Sequence, residues 1–474
     1  MPASSSPPRL ALLVDNPNRD LPGLVLTAWE LARRGARCLL VPMNLREDEL
    51  WALAPDLVLL NHCKTIYRDL LQGLCQAGIQ VAVLDTEGGV FSALPGDSSD
   101  PEDSPALAEY GLSLLPDEDL RRQVALYCAW TPAFARQAAA RGWYQPEQIA
   151  VTGNPRTDFY ARPWRTAALA AAGHLRDYAD PLVLINCNFT LANPRFQSPE
   201  QEAEMMIQRF SYGREFIMAW LEAQRAALAQ MMELAGRLAR DLAQATVVVR
   251  PHPFEGHRAY EKGLARLPNL HLDGRGTVDA WLLRARALVH WNSSTALEGC
   301  ALGIPALVPD WIPQHVRVPA VDRVSIFCAS YAELVERVRD ILEGGFQLPE
   351  NISKAGAQVL EQTYYRLDGR AHRRLAQALL DAAARRRQPS DLAVCRRRAE
   401  ARKTARQAGA AWDHSPKSFS HEQVRALLEA IQEAAGEPGP GLELVPAERA
   451  GEYRLEPAAG RSLVLHAPAG EEAP

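Results

Sequence analysis

The segment "RPHPFEGH", residues 250 to 257, follows the apolar run "ATVVV" and holds the residue types best suited to chemistry. Arg250 and His252 emerge directly from a strand-like run, and Pro251 and Pro253 stiffen the backbone on either side of the histidine. A metal site, a general base and a phosphate anchor are all open to such a turn. A metal needs convergent ligands, and His252, Glu255 and His257 follow no established ligand spacing. A guanidinium beside an imidazole suits a phosphate, which both groups hold through charge-assisted hydrogen bonds. A rigid turn with incidental polar residues is the plain alternative.

Three more polar clusters close apolar runs. "HWNSSTALEGCALG" follows "ARALV" and places Ser293, Ser294 and Thr295 at the start of a helix, where free N–H groups and hydroxyls suit an anion. Ordinary capping needs only one of these hydroxyls. Glu298, one turn in, is placed to accept from a ribose hydroxyl. "LINCNFTLAN" ends a strand with Asn186, Asn188, Thr190 and Asn193, which either close turns or contact a donor base or sugar. "VAVLDTEGG" ends another with Asp85 and Glu87, followed by Gly88 and Gly89, which permit close backbone approach to a ligand. A carboxylate there can serve as the general base for a hydroxyl acceptor, or can simply be solvated on a turn. Arg19 and Asp20, after the first apolar run, are further candidates for lining an acceptor site, and Asp20 is the next carboxylate in line.

These clusters need strands whose carboxyl ends open on a common side. From "RLALLV" to "IQVAVLD", short apolar runs alternate with amphipathic helical stretches, the pattern of a parallel α/β sheet covered on both faces. A second such series starts at "PLVLIN" and continues through "TVVVR", "NLHLD", "ARALVH" and "IPALVP". The expected fold is α/β, with two tandem Rossmann-like domains facing an interdomain cleft lined by the loops at the strand ends. The expected boundaries are residues 1–158 and 175–348, with 350–385 helical and returning to brace the first domain.

Composition narrows the rest. Apolar residues at 47% and charged residues at 23% are globular values. A net charge of −5 gives no global attraction to nucleic acid, so no nucleic-acid partner is expected. Eight cysteines lie singly with no CxxC pair, mostly in apolar surroundings, and read as reduced core residues rather than metal ligands or disulfides. No apolar run approaches the roughly 18 residues of a membrane span, and the N-terminal run is too short for a signal peptide. A cytoplasmic protein is expected, without a metal or other cofactor.

Beyond residue 385 the composition changes. Residues 385–406 carry nine Arg or Lys against Asp391 and Glu400, a local charge of +7, and an acidic, Pro/Gly-rich stretch follows. We read 386–474 as an accessory tail with one short helix, "SHEQVRALLEAIQEA", opened by a capping box from Ser420 to Gln423. The basic run is either a solvated helix face or a peripheral contact with an anionic membrane surface.

In order, "RDLPGLVLTAWELARRG", "LDTEGG", "TGNPRTD", "LINCNFTLAN", "RPHPFE" and "SSTALEGCALGIPAL" resemble bacterial surface carbohydrate biosynthesis proteins, which look like GT-B-type glycosyltransferases. "TEG", "HP" and the Ser/Thr cluster are also similar to motifs of bacterial sialyltransferases and polysialyltransferases, and HP motifs occur in capsule Kdo transferases. The resemblance spans roughly residues 10 to 345. It implies that Glu87 is the base, with Asp85 in reserve because Thr86 stands where a first acidic residue is expected. It implies that His252 and the serines hold the phosphate of a CMP-sugar, such as a Kdo or sialic-acid-like donor, transferred to a glycan or lipid-linked glycan. A sugar-nucleotide epimerase and an inactive scaffold of the same fold are the alternatives.

Overall fold

The computed structural model describes residues 6–63, 67–86, 118–210, 213–386, 388–408, 417–436, 442–456 and 460–467. They form two compact units, one built from the described parts of 6–171 together with 362–467, the other from 172–361.

The first unit is organised around β1 (Arg9–Val14), β2 (Arg37–Pro42), β3 (Leu57–Leu60), β4 (Gln80–Val83), β5 (Leu126–Ala129) and β6 (Ile149–Val151). They lie parallel in the order β2-β1-β3-β4-β5-β6, with Leu12 opposite both Leu40 and Leu59. The apolar runs of β1 to β5 are buried on both faces, as a parallel sheet covered by helices requires, and β6 at the edge is half-buried. Chain order reverses between β1 and β3, so loops leaving their carboxyl ends splay apart and leave a crevice. The helix Leu21–Arg33 covers this sheet and presents Gly23 to the "GNPR" turn. A Cβ on Gly23 would lie 2.6 Å from the Arg156 amide nitrogen, so only glycine permits that approach.

The second unit repeats the plan with β7 (Leu182–Asn186), β8 (Thr246–Arg250), β9 (Leu270–Leu272), β10 (Ala285–His290), β11 (Ala306–Pro309) and β12 (Ile326–Cys328). All are parallel, in the order β12-β11-β10-β7-β8-β9. Here the order reverses between β7 and β10. A helical pair, Pro199–Phe210 and Arg214–Asp241, makes the crossover from β7 to β8.

The expectation of an accessory tail is corrected by the first unit. Two short strands, β13 (Glu443–Pro446) and β14 (Leu463–His466), extend its sheet, with β14 antiparallel to β2 and Val464 opposite Leu39. Cys395, Ala447 and Val464 belong to the same hydrophobic core as β1 and β3. Buried Arg9 donates to Glu452 Oε2 at 2.9 Å and to the Leu53 carbonyl at 2.9 Å, and Arg37 pairs with the same carboxylate. Fully buried Glu49 accepts from the Ser462 hydroxyl at 2.6 Å and from the Tyr453 hydroxyl. The basic run is also partly spent internally: Arg386 pairs with Asp56, Arg402 with Asp48 at 3.2 Å and Lys403 with Glu456 at 2.8 Å. The helix His421–Ala435 carries the expected capping box, with Ser420 and Gln423 exchanging side-chain and backbone bonds. Among the described residues, no helix is long and apolar enough to cross a membrane.

Candidate functional site

Three central strands of the second unit end in polar residues at matching positions. Asn186 of β7 is in register with Arg250 of β8 and with His290 of β10. Residues in register share a face, so these side chains form one row at the carboxyl edge, on the side of the switch point. Apolar residues would fill these places in a purely structural sheet.

Arg250 is the chemically demanding member. It is 6% exposed, and its side chain donates from Nη2 to the Gly276 carbonyl at 2.8 Å. Among the described residues its buried Nε has no hydrogen-bond partner and no carboxylate forms an ion pair with it. Burial pushes its pKa down, offset by the nearby charges of Glu298, Asp279 and Asp273. Burial raises the Asp279 pKa, which weakens that residue as a counter-charge. A buried guanidinium with unspent donors is costly unless an anion completes it.

Hydroxyls and amides gather around Asn186, which is in register with Arg250. Asn186 Nδ2 donates to Thr295 Oγ1 at 3.1 Å, and Thr295 Oγ1 lies 2.8 Å from Ser293 Oγ. Asn186 Oδ1 is buried without a partner. Asn188 Nδ2 reaches the Asn292 carbonyl at 3.4 Å, tying the loop after β7 to the loop after β10. Phe189 stacks on Trp291 with centroids 4.8 Å apart and fastens the same two loops. Asn292 holds a left-handed φ of 47°, a conformation that asparagine tolerates better than most residues. The turn throws Ser293 inward, whereas Ser294 is exposed at the start of the helix Thr295–Leu302 and makes no capping bond. Glu298 is buried one turn in, where Arg250 feels its charge.

The proline-flanked turn is held by Glu255. Its Oε1 accepts from the His252 amide at 3.1 Å and the Phe189 amide at 2.9 Å, and its Oε2 accepts from Tyr260 at 2.5 Å. Burial raises the Glu255 pKa, and these donors oppose the rise. His252 is half-buried, and its Nδ1 accepts from the Phe254 amide at 3.2 Å. A neutral ring accepting at Nδ1 carries its proton on Nε2, which becomes the donor. His257 is exposed, and no group of three metal-ligating side chains exists among the described residues.

At the switch point of the first unit a small pocket is lined by Leu13, Asp20, Asn61, Thr86 and Asn154, among others. Asp20 accepts from the Asn16 amide at 3.0 Å and from Arg19 Nε at 2.8 Å. Asp15 is shared between Arg19 at 3.4 Å and Lys417 at 2.8 Å, so the C-terminal segment reaches this edge too. Burial opposes ionisation of Asp15, but Lys417 and Arg19 prevail and hold its pKa below the usual range. Asp85 is half-buried and accepts from the Tyr127 hydroxyl at 2.8 Å, while its carbonyl accepts from Trp130 Nε1 at 2.7 Å. Burial and the neighbouring Asp85 charge lift the Tyr127 pKa well above its ordinary value, so the phenol stays the donor. Asp85 thus ties β4 to β5. Glu87 and Gly88 lie outside the described residues.

His290 and Asn61 were not singled out from the sequence. His290 had a signal, since it ends "ARALVH" where Asn186 ends "LVLIN" and Arg250 ends "TVVVR". Lys417 had none, because nothing local places it beside Asp15.

No known family and no curated protein matches the sequence of this chain. Solved structures do resemble it. A wall teichoic acid polymerase, TagF, soaked with CDPG, is similar with a TM-score of 0.50 at 10% identity, over 79% of this chain and 89% of that one. A UDP-GlcNAc 2-epimerase from Neisseria meningitidis, bound to UDP-GlcNAc, shows a looser likeness. Its TM-score is 0.43 at 14% identity, over 78% of this chain and 99% of that one. The class defined by the two parallel sheets is therefore a GT-B-like α/β fold, built from two Rossmann-like units.

Proposed function

We propose that the chain is a glycosyltransferase of surface-polysaccharide biosynthesis and that its second unit binds a nucleotide-activated sugar. The observation that carries this reading is Arg250, buried, in no ion pair among the described residues, and in register with Asn186, which is bonded to the Ser293–Thr295 hydroxyl pair. A phosphate supplies the missing counter-charge, accepts from the guanidinium and hydroxyls, and takes a further bond from His252 Nε2. Negative charge grows on that phosphate as the glycosidic bond to the leaving group breaks, and donors fixed beforehand stabilise it. Ser294 and Glu298 complete the donor site, Glu298 by accepting from a ribose hydroxyl.

A CMP-linked ulosonic acid of the Kdo or sialic-acid type is the donor we favour, because the site offers one guanidinium, one imidazole and a hydroxyl pair, a set matched to a single phosphate. The acceptor is a glycan hydroxyl, bound by the first unit near Arg19, Asp20 and Gly88. Glu87 is the general base for that hydroxyl. Asp85, already engaged by Tyr127, supports its loop.

Incubating the protein with a panel of CMP-, UDP- and CDP-sugars and glycan acceptors, with mass spectrometry of the products, tests the reading. Acceptor-dependent release of CMP is expected. Conversion of a UDP-sugar to its epimer without acceptor would replace the transferase by an epimerase, and turnover of no donor would contradict both.

A further inference from the structure

His290 fills a place where an apolar residue would pack at no polar cost, yet both of its ring nitrogens are engaged. It is 1% exposed. Its Nε2 lies 3.0 Å from Ser325 Oγ, and the Ser293 amide points at its Nδ1 at 3.4 Å. The Ser325 hydroxyl donates to the Val321 carbonyl at 2.7 Å, so its only proton is committed. The Nε2–Ser325 bond then has one possible direction, with the imidazole donating. Nδ1 is left bare and accepts from Ser293. Burial drives the ring pKa down to about 3, which keeps it neutral and preserves this order of donors.

The relay runs from the loop before β12, through the end of β10, to the backbone of Ser293. Beyond Ser293 it continues to Thr295 and Asn186. Each link fixes the next, so the hydroxyls that face the anion are oriented by a residue that does not touch it. We infer that His290 and Ser325 are positioning residues for the phosphate site, setting the Ser293–Thr295 hydroxyls against Arg250. This rests on the reading that the second unit binds a nucleotide phosphate.

The test combines two measurements on the full chain. In 15N NMR of histidine-labelled wild-type protein, His290 should show a protonated Nε2 and a bare Nδ1 from pH 5 to 8. The opposite tautomer, or an imidazolium, overturns the inference without any variant being needed. In calorimetric titrations with CMP, UMP and CDP, His290→Gln keeps a group that reaches Ser325 but loses the acceptor for the Ser293 amide. It should weaken nucleotide binding by about tenfold, and Ser325→Ala, which removes only the anchor of the ring, by about threefold. His290→Asn, whose amide oxygen stands where Nδ1 was, should stay within about threefold of wild type, and affinity for the nucleoside cytidine should not move. If Arg250→Ala abolishes nucleotide binding while His290→Gln and Ser325→Ala bind as wild type, the positioning role is wrong and the phosphate site stands. If wild-type protein binds none of the three nucleotides, the site itself falls and this inference with it. Should a variant fail to fold, the wild-type tautomer decides.

Discussion

At the scale of single residues, buried polar groups set the chemistry and also expose it to measurement. His290 is neutral in the folded protein, with a pKa pushed down to about 3, and titrates near 6.5 when unfolded. Below pH 6.5 the unfolded chain therefore binds the extra proton, so this contribution to stability is full above that pH and is lost as pH falls toward 3. Between pH 7 and 5 the stability advantage of wild type over His290→Leu should shrink by about 2 kcal/mol, read from urea unfolding at the two pH values. An advantage independent of pH would show that the ring is exposed and titrates as it does in the unfolded chain, and one that grows as pH falls would show that it is charged. Glu452 makes a second case. It neutralises Arg9 and Arg37, and Glu452→Ala leaves a buried guanidinium unpaired, which should cost about 3–5 kcal/mol. A loss below about 1 kcal/mol in chemical denaturation would mean that water reaches Arg9 freely.

At the scale of elements, the parallel strands were legible because each is a short apolar run with a polar terminator, and the terminators marked the site. Arg250, Asn186, Ser293 and Thr295 came from that logic, and the structure joins them. Two things were hidden. Glu255 read only as a metal-ligand candidate of no established spacing or as an incidental turn residue, because its role as acceptor for the amides of two loops exists only once β7 and β8 pair. β13 and β14 are four residues long and set among Pro, Gly and charges, so their pairing with β2 had no local signature. That pairing changes what truncation should do. Ending the chain after Arg385 removes two strands and part of the first core, so we expect loss of cooperative melting in that unit. A truncated protein that melts like wild type would return the segment to an appendage. Close backbone approach gives one more test. Gly23→Ala puts a methyl 2.6 Å from the Arg156 amide and should cost about 1–3 kcal/mol, seen as a lowered Tm. An unchanged Tm would mean that the "GNPR" turn yields freely.

At the scale of the whole molecule, the chain carries a row of buried polar residues in one Rossmann-like unit, proposed to hold a phosphate, and a polar, carboxylate-bearing edge in the other, each at the switch point of its own sheet. The fold alone serves many chemistries, so function rests on the site. Its centre is the buried charge of Arg250, which has no ion-pair partner among the described residues. Calorimetric titration of CMP, UMP and CDP into wild type and Arg250→Ala tests this most directly. We predict binding of at least one nucleotide by the wild type, and a loss of about a hundredfold or more in the variant at an unchanged melting temperature. Equal affinity in the two proteins, or no binding by the wild type, would contradict the account.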